Sequence, residues 1–346
     1  MAINFPNNPG SGEIYTEGNK SWQWLGNRWG AYNIQNPEAF AFRNKIINGN
    51  FDIWQRGTNF SITNSGTYTS DRWSIVYDGT GATRTVSRQS FSVGQTDVPN
   101  NPDYFLRWNQ SVAGSGANFN VLRQPIEAVK TLAGKQVVVT FYAKAASTLD
   151  VHVFFQHYFG TGGSPSSTIN IPGGTTINLN TSWQKYSVVC DITNLSGKSI
   201  GTNNNDYLVL NFNPSPINDN ATFTFDIAQV QLEEGSIATP FEHRPIGTEL
   251  ALCQRYYQAL RLFGAAVRNP PGGSSTGLGG GSQTISPTMR AVPTSPNFST
   301  SPYFAGTYRI EGAISSIERN AIHFAAASPG YHGYHVIILY DLDAEL

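Results

Sequence analysis

The sequence predicts a mostly-β chain: a small N-terminal β module, a central jelly-roll-like β-sandwich, a short helix and a small C-terminal β domain. Three observations predict it. Only 13% of the 346 residues are charged and 12% are aromatic, while 34 glycines and 19 prolines supply turns; few charges and many aromatics exclude generic disorder and suit short strands joined by turns. Alternation of apolar and polar residues with period two recurs through the middle of the chain. A helical period is confined to one stretch after it.

Residues 1–32 read as three short strands around Gly-rich turns and carry Trp22, Trp24 and Trp29. Alternation in S-W-Q-W puts Trp22 and Trp24 on one strand face. So small a module buries little surface alone, so the tryptophans either dock on a partner or form a mini-core. Residues 33–44 read as a linker. In residues 45–245, "QVVVTFYAKA" sets Val137, Val139, Phe141 and Ala143 opposite Val138, Thr140, Tyr142 and Lys144. "DVHVFFQHYF" sets Val151, Val153, Phe155 and Phe159 opposite His152, Gln156 and Tyr158. Two antiparallel sheets packed face to face satisfy this pattern.

In residues 246–264 the period changes. Leu250, Cys253, Tyr257 and Leu260 recur at helical spacing behind Thr248, an N-cap candidate. This predicts a connecting helix of about four turns, with a seam for an oligomer or a neighbouring domain. "RNPPGGSSTGLGGGSQ" reads as an irregular loop, and strands return within 265–346, the C-terminal β tip domain. The last strand alternates Val336, Ile338, Tyr340 and Leu342 with His335, Ile337, Leu339 and Asp341. Apolar residues on both faces favour a subunit contact, hence a homo-oligomer.

Net charge is −1 and no basic run occurs, so no nucleic-acid partner is expected. No stretch is long and apolar enough for membrane insertion, and no secretory leader is visible at the start. Two distant cysteines, Cys190 and Cys253, make neither a disulfide framework nor a zinc pattern, which suits synthesis in a reducing cytoplasm. The G-x-S-x-G spacings at Gly197–Gly201 and Gly273–Gly277 lie in turn-rich stretches with no helical period after them, so no nucleophile elbow is expected, and no H-E-x-x-H pair occurs. Glu233 and Glu234 are adjacent, so on a strand they point to opposite faces and cannot act as a glycosidase pair. No enzyme and no cofactor are expected. His332 and His335 are weak metal candidates, and Asp341, Asp343 and Glu345 are either calcium ligands or a solvated strand end.

Binding remains. Sugars are held by aromatic rings and by planar amide, carboxylate or guanidinium groups. Tyr142, Lys144, His152, Gln156 and Tyr158 offer those types on the face opposite the core residues, and the same alternation adds Arg107, Asn109, Tyr207 and Asn211 to it. The alternative is that these residues are only the wet side of a sandwich. Loops with Tyr303, Tyr331 and Tyr334 compete as the recognition surface.

"INGNFDIWQRG", "YTSDRW", "LAGKQVVVTFYAKA", "SWQKYSV", "GTNNNDYLVL" and "AQVQLEEGSIATPFEHRPIGTELALCQRYYQ" together resemble the jelly-roll region of bacteriophage tail fibre proteins, over about residues 46–258. The opening "FPNNPGSGEIY…WQWLGNRW" is similar to modules that begin phage fibres, including cyanophage ones. The resemblance implies a homotrimeric virion structural protein. Its N-terminus would join baseplate proteins and its C-terminal half would recognise a host surface polysaccharide. A more distant similarity is to jelly-roll carbohydrate-binding modules, and an accessory module of a glycan-degrading system is the alternative function. Those modules close on two acidic residues before a valine; here Ala228 and Gln229 precede Val230, leaving Asp52 and Asp226 as remnants of their calcium site. A depolymerising tailspike would need a long repetitive β-helix, and no such period is present.

Overall fold

The computed structural model describes residues 5–10, 13–17, 20–24, 26–32, 42–214, 220–265, 277–284, 286–291, 311–317, 321–328 and 335–345. Residues 33–41 of the expected linker lie outside them, as do Tyr303, Tyr331, His332 and Tyr334. The chain divides into two compact units: residues 1–43 with Thr239–Glu242, and the remainder.

In the first unit, β1 (Ile14–Glu17), β2 (Lys20–Trp24) and β3 (Trp29–Tyr32) form an antiparallel meander in that order. Trp22, Trp24 and Trp29 are half-buried around Phe5, which meets Trp22 edge-on at 5.3 Å and stacks on Trp29 at 5.2 Å. Trp24 touches Trp29 at 5.6 Å. The tryptophans thus make a small aromatic core of the unit. The stretch after the sandwich returns to it: the Phe42 amide donates to the Glu242 carboxylate at 2.5 Å, and Arg43 donates to the Pro240 carbonyl at 2.5 Å.

The second unit is the sandwich and what packs on it. Its strands are β4 (Asn59–Ser61), β5 (Thr67–Tyr68), β6 (Ser74–Tyr77), β7 (Thr83–Ser90), β8 (Tyr104–Val112), β9 (Asn120–Glu127) and β10 (Gln136–Ala145). They continue with β11 (Leu149–Tyr158), β12 (Ile169–Asn170), β13 (Thr175–Leu179), β14 (Gln184–Asp191), β15 (Tyr207–Pro214) and β16 (Phe223–Glu234). One sheet, sheet I, runs β14-β10-β16-β8-β7-β4; the other, sheet II, runs β12-β11-β15-β9-β6-β5, with β13 also on β11. All pairings are antiparallel.

Between the sheets the alternating residues meet as expected. Val137, Val139, Phe141 and Ala143 of β10 and Val151, Val153 and Phe155 of β11 are all buried in one cluster with Trp73, Trp108, Phe212 and Phe225. Phe141 meets Phe212 edge-to-face at 5.0 Å. Each buried Val or Phe of this set contributes about 1.5–3 kcal/mol through burial. The "NGNF" opening seals one edge. Asn48, at φ 56°, donates from its amide to the Ile53 carbonyl and the Ser70 hydroxyl, both at 2.8 Å. Gly49 lies so close to β16 that a Cβ there would stand 2.1 Å from the Val230 carbonyl oxygen.

Beyond the sandwich, α1 spans only Ile246–Gln254, and β17 (Tyr257–Ala265) follows at once. The four-turn helix is therefore corrected: Tyr257 and Leu260 stand on a strand. β17 pairs along its whole length with β21 (His335–Asp343), and that ladder outweighs the weak helical propensity of the stretch. Cys253 and Tyr257 are buried within the chain's own fold, so the seam is not a free oligomer surface. Leu250 is half-buried, and the Leu260 side chain lies outside the description.

β18 (Gly277–Thr284), β19 (Glu311–Ile317) and β20 (Ala321–Ser328) form a sheet of order β18-β20-β19. Part of the expected Gly-rich loop is thus strand β18. Its glycines gain their order from pairing, with Gly279, Gly280 and Gly281 opposite Ala326, Ala325 and Phe324. The chain's end docks on the sandwich. Arg56 pairs with Asp343 at 3.1 Å and Glu345 at 3.4 Å, Arg72 pairs with Glu345, and the two guanidiniums lie 3.6 Å from the Tyr257 ring centre and 3.5 Å from that of Tyr256. Among the described residues no helix is long and apolar enough to cross a membrane.

Candidate functional site

The residues expected on one glycan-binding surface fall on two. Alternation turns all of them away from the core, but strand order separates them. Tyr142 and Lys144 (β10) and Arg107 and Asn109 (β8) lie on sheet I; His152, Gln156 and Tyr158 (β11) and Tyr207 and Asn211 (β15) lie on sheet II. The expectation of one combined surface is corrected by this non-local pairing.

On sheet I, direct register aligns Lys144, Asp226 and Arg107 across β10, β16 and β8. Arg107 grips the buried Asp226 carboxylate with two bonds, Nε to Oδ1 at 2.7 Å and Nη2 to Oδ2 at 2.8 Å. Such paired bonds are strong and fix both planes, and they raise the Arg107 pKa above its ordinary value. One step along the same strands, the Thr224 hydroxyl donates to Asn109 Oδ1 at 2.9 Å.

Over this row stands an aromatic group. Trp183, just before β14, meets Phe105 of β8 edge-to-face at 5.1 Å and Phe91 at 5.2 Å; Phe91 and Phe105 are 4.8 Å apart. β10 and β16 lie between the strands that carry Trp183 and Phe105. At roughly 4.8 Å per strand the rings meet only by leaning over them. The wholly buried Ala228 on β16 keeps the floor low there. Lys144 Nζ sits 5.4 Å from the Trp183 ring centre, within cation–π range. Phe91 is held by the loop between β7 and β8, which its amide closes on the Asp103 carbonyl at 2.9 Å. Gln229, the bulge residue at φ 49°, anchors the same loop by donating to the Pro99 carbonyl at 2.9 Å. Tyr142 completes the face; partial burial raises its pKa.

The bulge decides which way Asp226 points. Asp226 and Val230 have the same parity on β16, yet Val230 is in the core and Asp226 faces out beside Arg107. One inserted residue between them reverses the alternation.

The outer face of sheet II is more tightly self-satisfied. Tyr158 and Tyr207 stack at 4.6 Å, and Gln156 bridges Asn170 at 2.7 Å and Asn211 at 3.3 Å. His152 contacts the Thr176 hydroxyl at 3.0 Å, and burial lowers its pKa. Tyr207 and Asn211 are buried, which leaves little of either for a ligand. The loops beside Tyr158 are tied together, with the Thr161 amide donating to Asn205 Oδ1 at 2.8 Å.

The metal candidates do not assemble. Asp226 is taken by Arg107, and Asp52, whose pKa is raised by burial, accepts from Asn50 at 2.9 Å. Among the described residues no three potential ligands cluster. His332 lies outside the described residues and His335 opens β21. The Glu345 side chain is buried between Arg56 and Arg72, whereas Asp343 pairs with Arg56 and stays partly solvated; the Asp341 side chain lies outside the description.

Trp183, Phe91, Phe105 and Asp226 were not picked out as binding residues by sequence. The first two sit in loops outside any alternation, and Phe105 is the second residue of a strand whose outward parity was visible from Arg107.

No protein-family profile matches the chain, and no curated protein does. Among solved structures it is similar to tailspike protein 4 of bacteriophage CBA120, in its enzymatically active domain, with 17% identity and a TM-score of 0.34; the match covers 56% of this chain and 22% of that one. A carbohydrate-binding module, CBM4, is 15% identical with a TM-score of 0.32, over 54% of this chain and 98% of the module. A family 11 carbohydrate-binding module from Clostridium thermocellum, in complex with a β-1,3-1,4-mixed-linked tetrasaccharide, is 10% identical with a TM-score of 0.32, over 53% of this chain and 98% of the module.

Proposed function

We propose that the chain binds glycans on the outer face of sheet I and does not cleave them. The observation that carries this reading is the Trp183–Phe105 contact over the Lys144–Asp226–Arg107 row. It provides a ring for the C–H face of a sugar beside groups fixed to meet hydroxyls. Hydrolysis by the usual route needs two carboxylates flanking the bond. Asp226 has both oxygens bound to Arg107, and Glu233, several residues along the strand, is buried.

In the same reading the chain is a phage tail fibre, a virion structural protein of the tail or baseplate. The first unit attaches it to baseplate proteins, and three copies assemble so that many weak glycan sites add up to firm attachment to a host surface. Support comes from the ordered motifs between residues 46 and 258 and from the separate aromatic unit ahead of them.

A neutral and acidic glycan array probed with the full-length chain tests the binding claim. Reproducible capture of a related set of glycans is expected, and an empty array contradicts it. Light scattering during size exclusion tests the assembly: a mass near three times 37.8 kDa is expected, and a monomer at micromolar concentration contradicts the fibre reading.

A further inference from the structure

Around Trp183 the sheet I face carries more positive charge than the one carboxylate beside it can balance. Lys185 of β14 is the direct register partner of Tyr142, and Lys144 lies two residues along β10 from that tyrosine. The two lysines are diagonal neighbours, roughly 7–8 Å apart at Cα. With Tyr142 and Trp183 they make a checkerboard of two rings and two ammoniums. Among the described residues neither lysine has an ion-pair partner, and Lys144 Nζ stands 5.4 Å from the Trp183 ring centre. Asp226 is Lys144's register partner on β16, but Arg107 occupies both of its oxygens. Asp103, ahead of β8, acts on Asp52. At this end of the face three cations therefore stand beside one committed carboxylate; Asp191 and Glu233 share the outward parity but lie further along β14 and β16, opposite Gln136 and Val138.

We infer that the glycan recognised by this face is acidic, with sugar carboxylates seated at Lys144 and Lys185 while the rings of Trp183 and Tyr142 hold the intervening sugar faces. This rests on the glycan reading above and adds the ligand's charge class. Two adjacent unpaired ammoniums repel one another, and an anion between them removes that repulsion. The lysine heads are half-buried or exposed, so the attraction is screened by salt.

The test uses the full-length chain with polygalacturonate, alginate and hyaluronate, each beside its carboxyl-reduced neutral form, in affinity electrophoresis at low and high salt. At least one acidic polymer is expected to bind about tenfold or more tighter than its reduced form, about 1.4 kcal/mol, with the gap narrowing at high salt. Combining Lys144→Gln with Lys185→Gln is expected to bring the two forms to near parity. Equal affinity of wild type for acidic and reduced polymers overturns the inference and leaves the glycan reading standing. Absence of binding to every polymer also overturns it, and the glycan array then decides the broader reading separately.

Discussion

Trp183 and Phe105 enter the same sheet three strands apart, yet their rings meet at 5.1 Å above it. That contact turns an ordinary outward sheet face into a walled one. It places the candidate site over β10 and β16, beside the pair that Asp226 of β16 makes with Arg107 of β8.

Arg107→Ala is expected to destabilise the fold by about 2 kcal/mol, because it strips both charge-assisted bonds from a buried carboxylate. Part of the loss is softened, since Arg107 is itself partly exposed. Adding Asp226→Asn should recover most of it by removing the stranded charge. Urea midpoints of the two variants check this; an unchanged midpoint for Arg107→Ala contradicts it.

Much of the sandwich was legible in the sequence, and the reason is local. Period-two alternation in β10 and β11 told core from outward residues, because neighbouring Cβ atoms on a strand alternate by geometry. What alternation cannot carry is partnership across the chain. Tyr142 and Tyr158 both point outward, but only the ladders of β10 with β16 and β11 with β15 show that they do so on opposite sides. The helix over 246–264 failed for the same reason: β21, which captures Tyr257 onward, is distant in sequence. Trp183 gave no periodic signal because it precedes its strand.

Gly49→Ala is expected to cost more than about 2 kcal/mol, since its Cβ would meet the Val230 carbonyl and neither backbone can yield without breaking the Val230–Gly49 hydrogen bond. Gly247→Ala is the contrast. Nothing stands within 4 Å of that Cβ in the first turn of α1, so up to about 1 kcal/mol of stabilisation is expected. Thermal melts of both report the sign.

His157 is wholly buried, and neither ring nitrogen has a hydrogen-bond partner among the described residues. Burial lowers its pKa below 6.5, so the folded state resists a proton that the unfolded chain accepts. Stability should therefore hold above that value and fall as pH drops through it. His152 and His243 shift in the same direction, so a residual slope remains after His157→Phe. Denaturant titrations from pH 7.5 to 5 should show a shallower acid loss in the variant; equal slopes contradict this.

Cys190 and Cys253 are free and buried, and burial pushes both thiols up, Cys253 the further. A thiol reagent should label neither in the native chain within minutes and both in denaturant, because the thiolate is the reactive form. Rapid native labelling of Cys253 would show that α1 does not pack as described.

The central claim is that sheet I, not sheet II, holds the glycan. Calorimetric titration of an oligosaccharide from the array into wild type, Trp183→Ala and Tyr158→Ala separates the two faces, with near-UV dichroism confirming that each variant is folded. Loss of about 2 kcal/mol or more, roughly thirtyfold in affinity, is predicted for Trp183→Ala, with Tyr158→Ala near wild type. The reverse pattern, weakened binding in Tyr158→Ala and none lost in Trp183→Ala, would contradict the account.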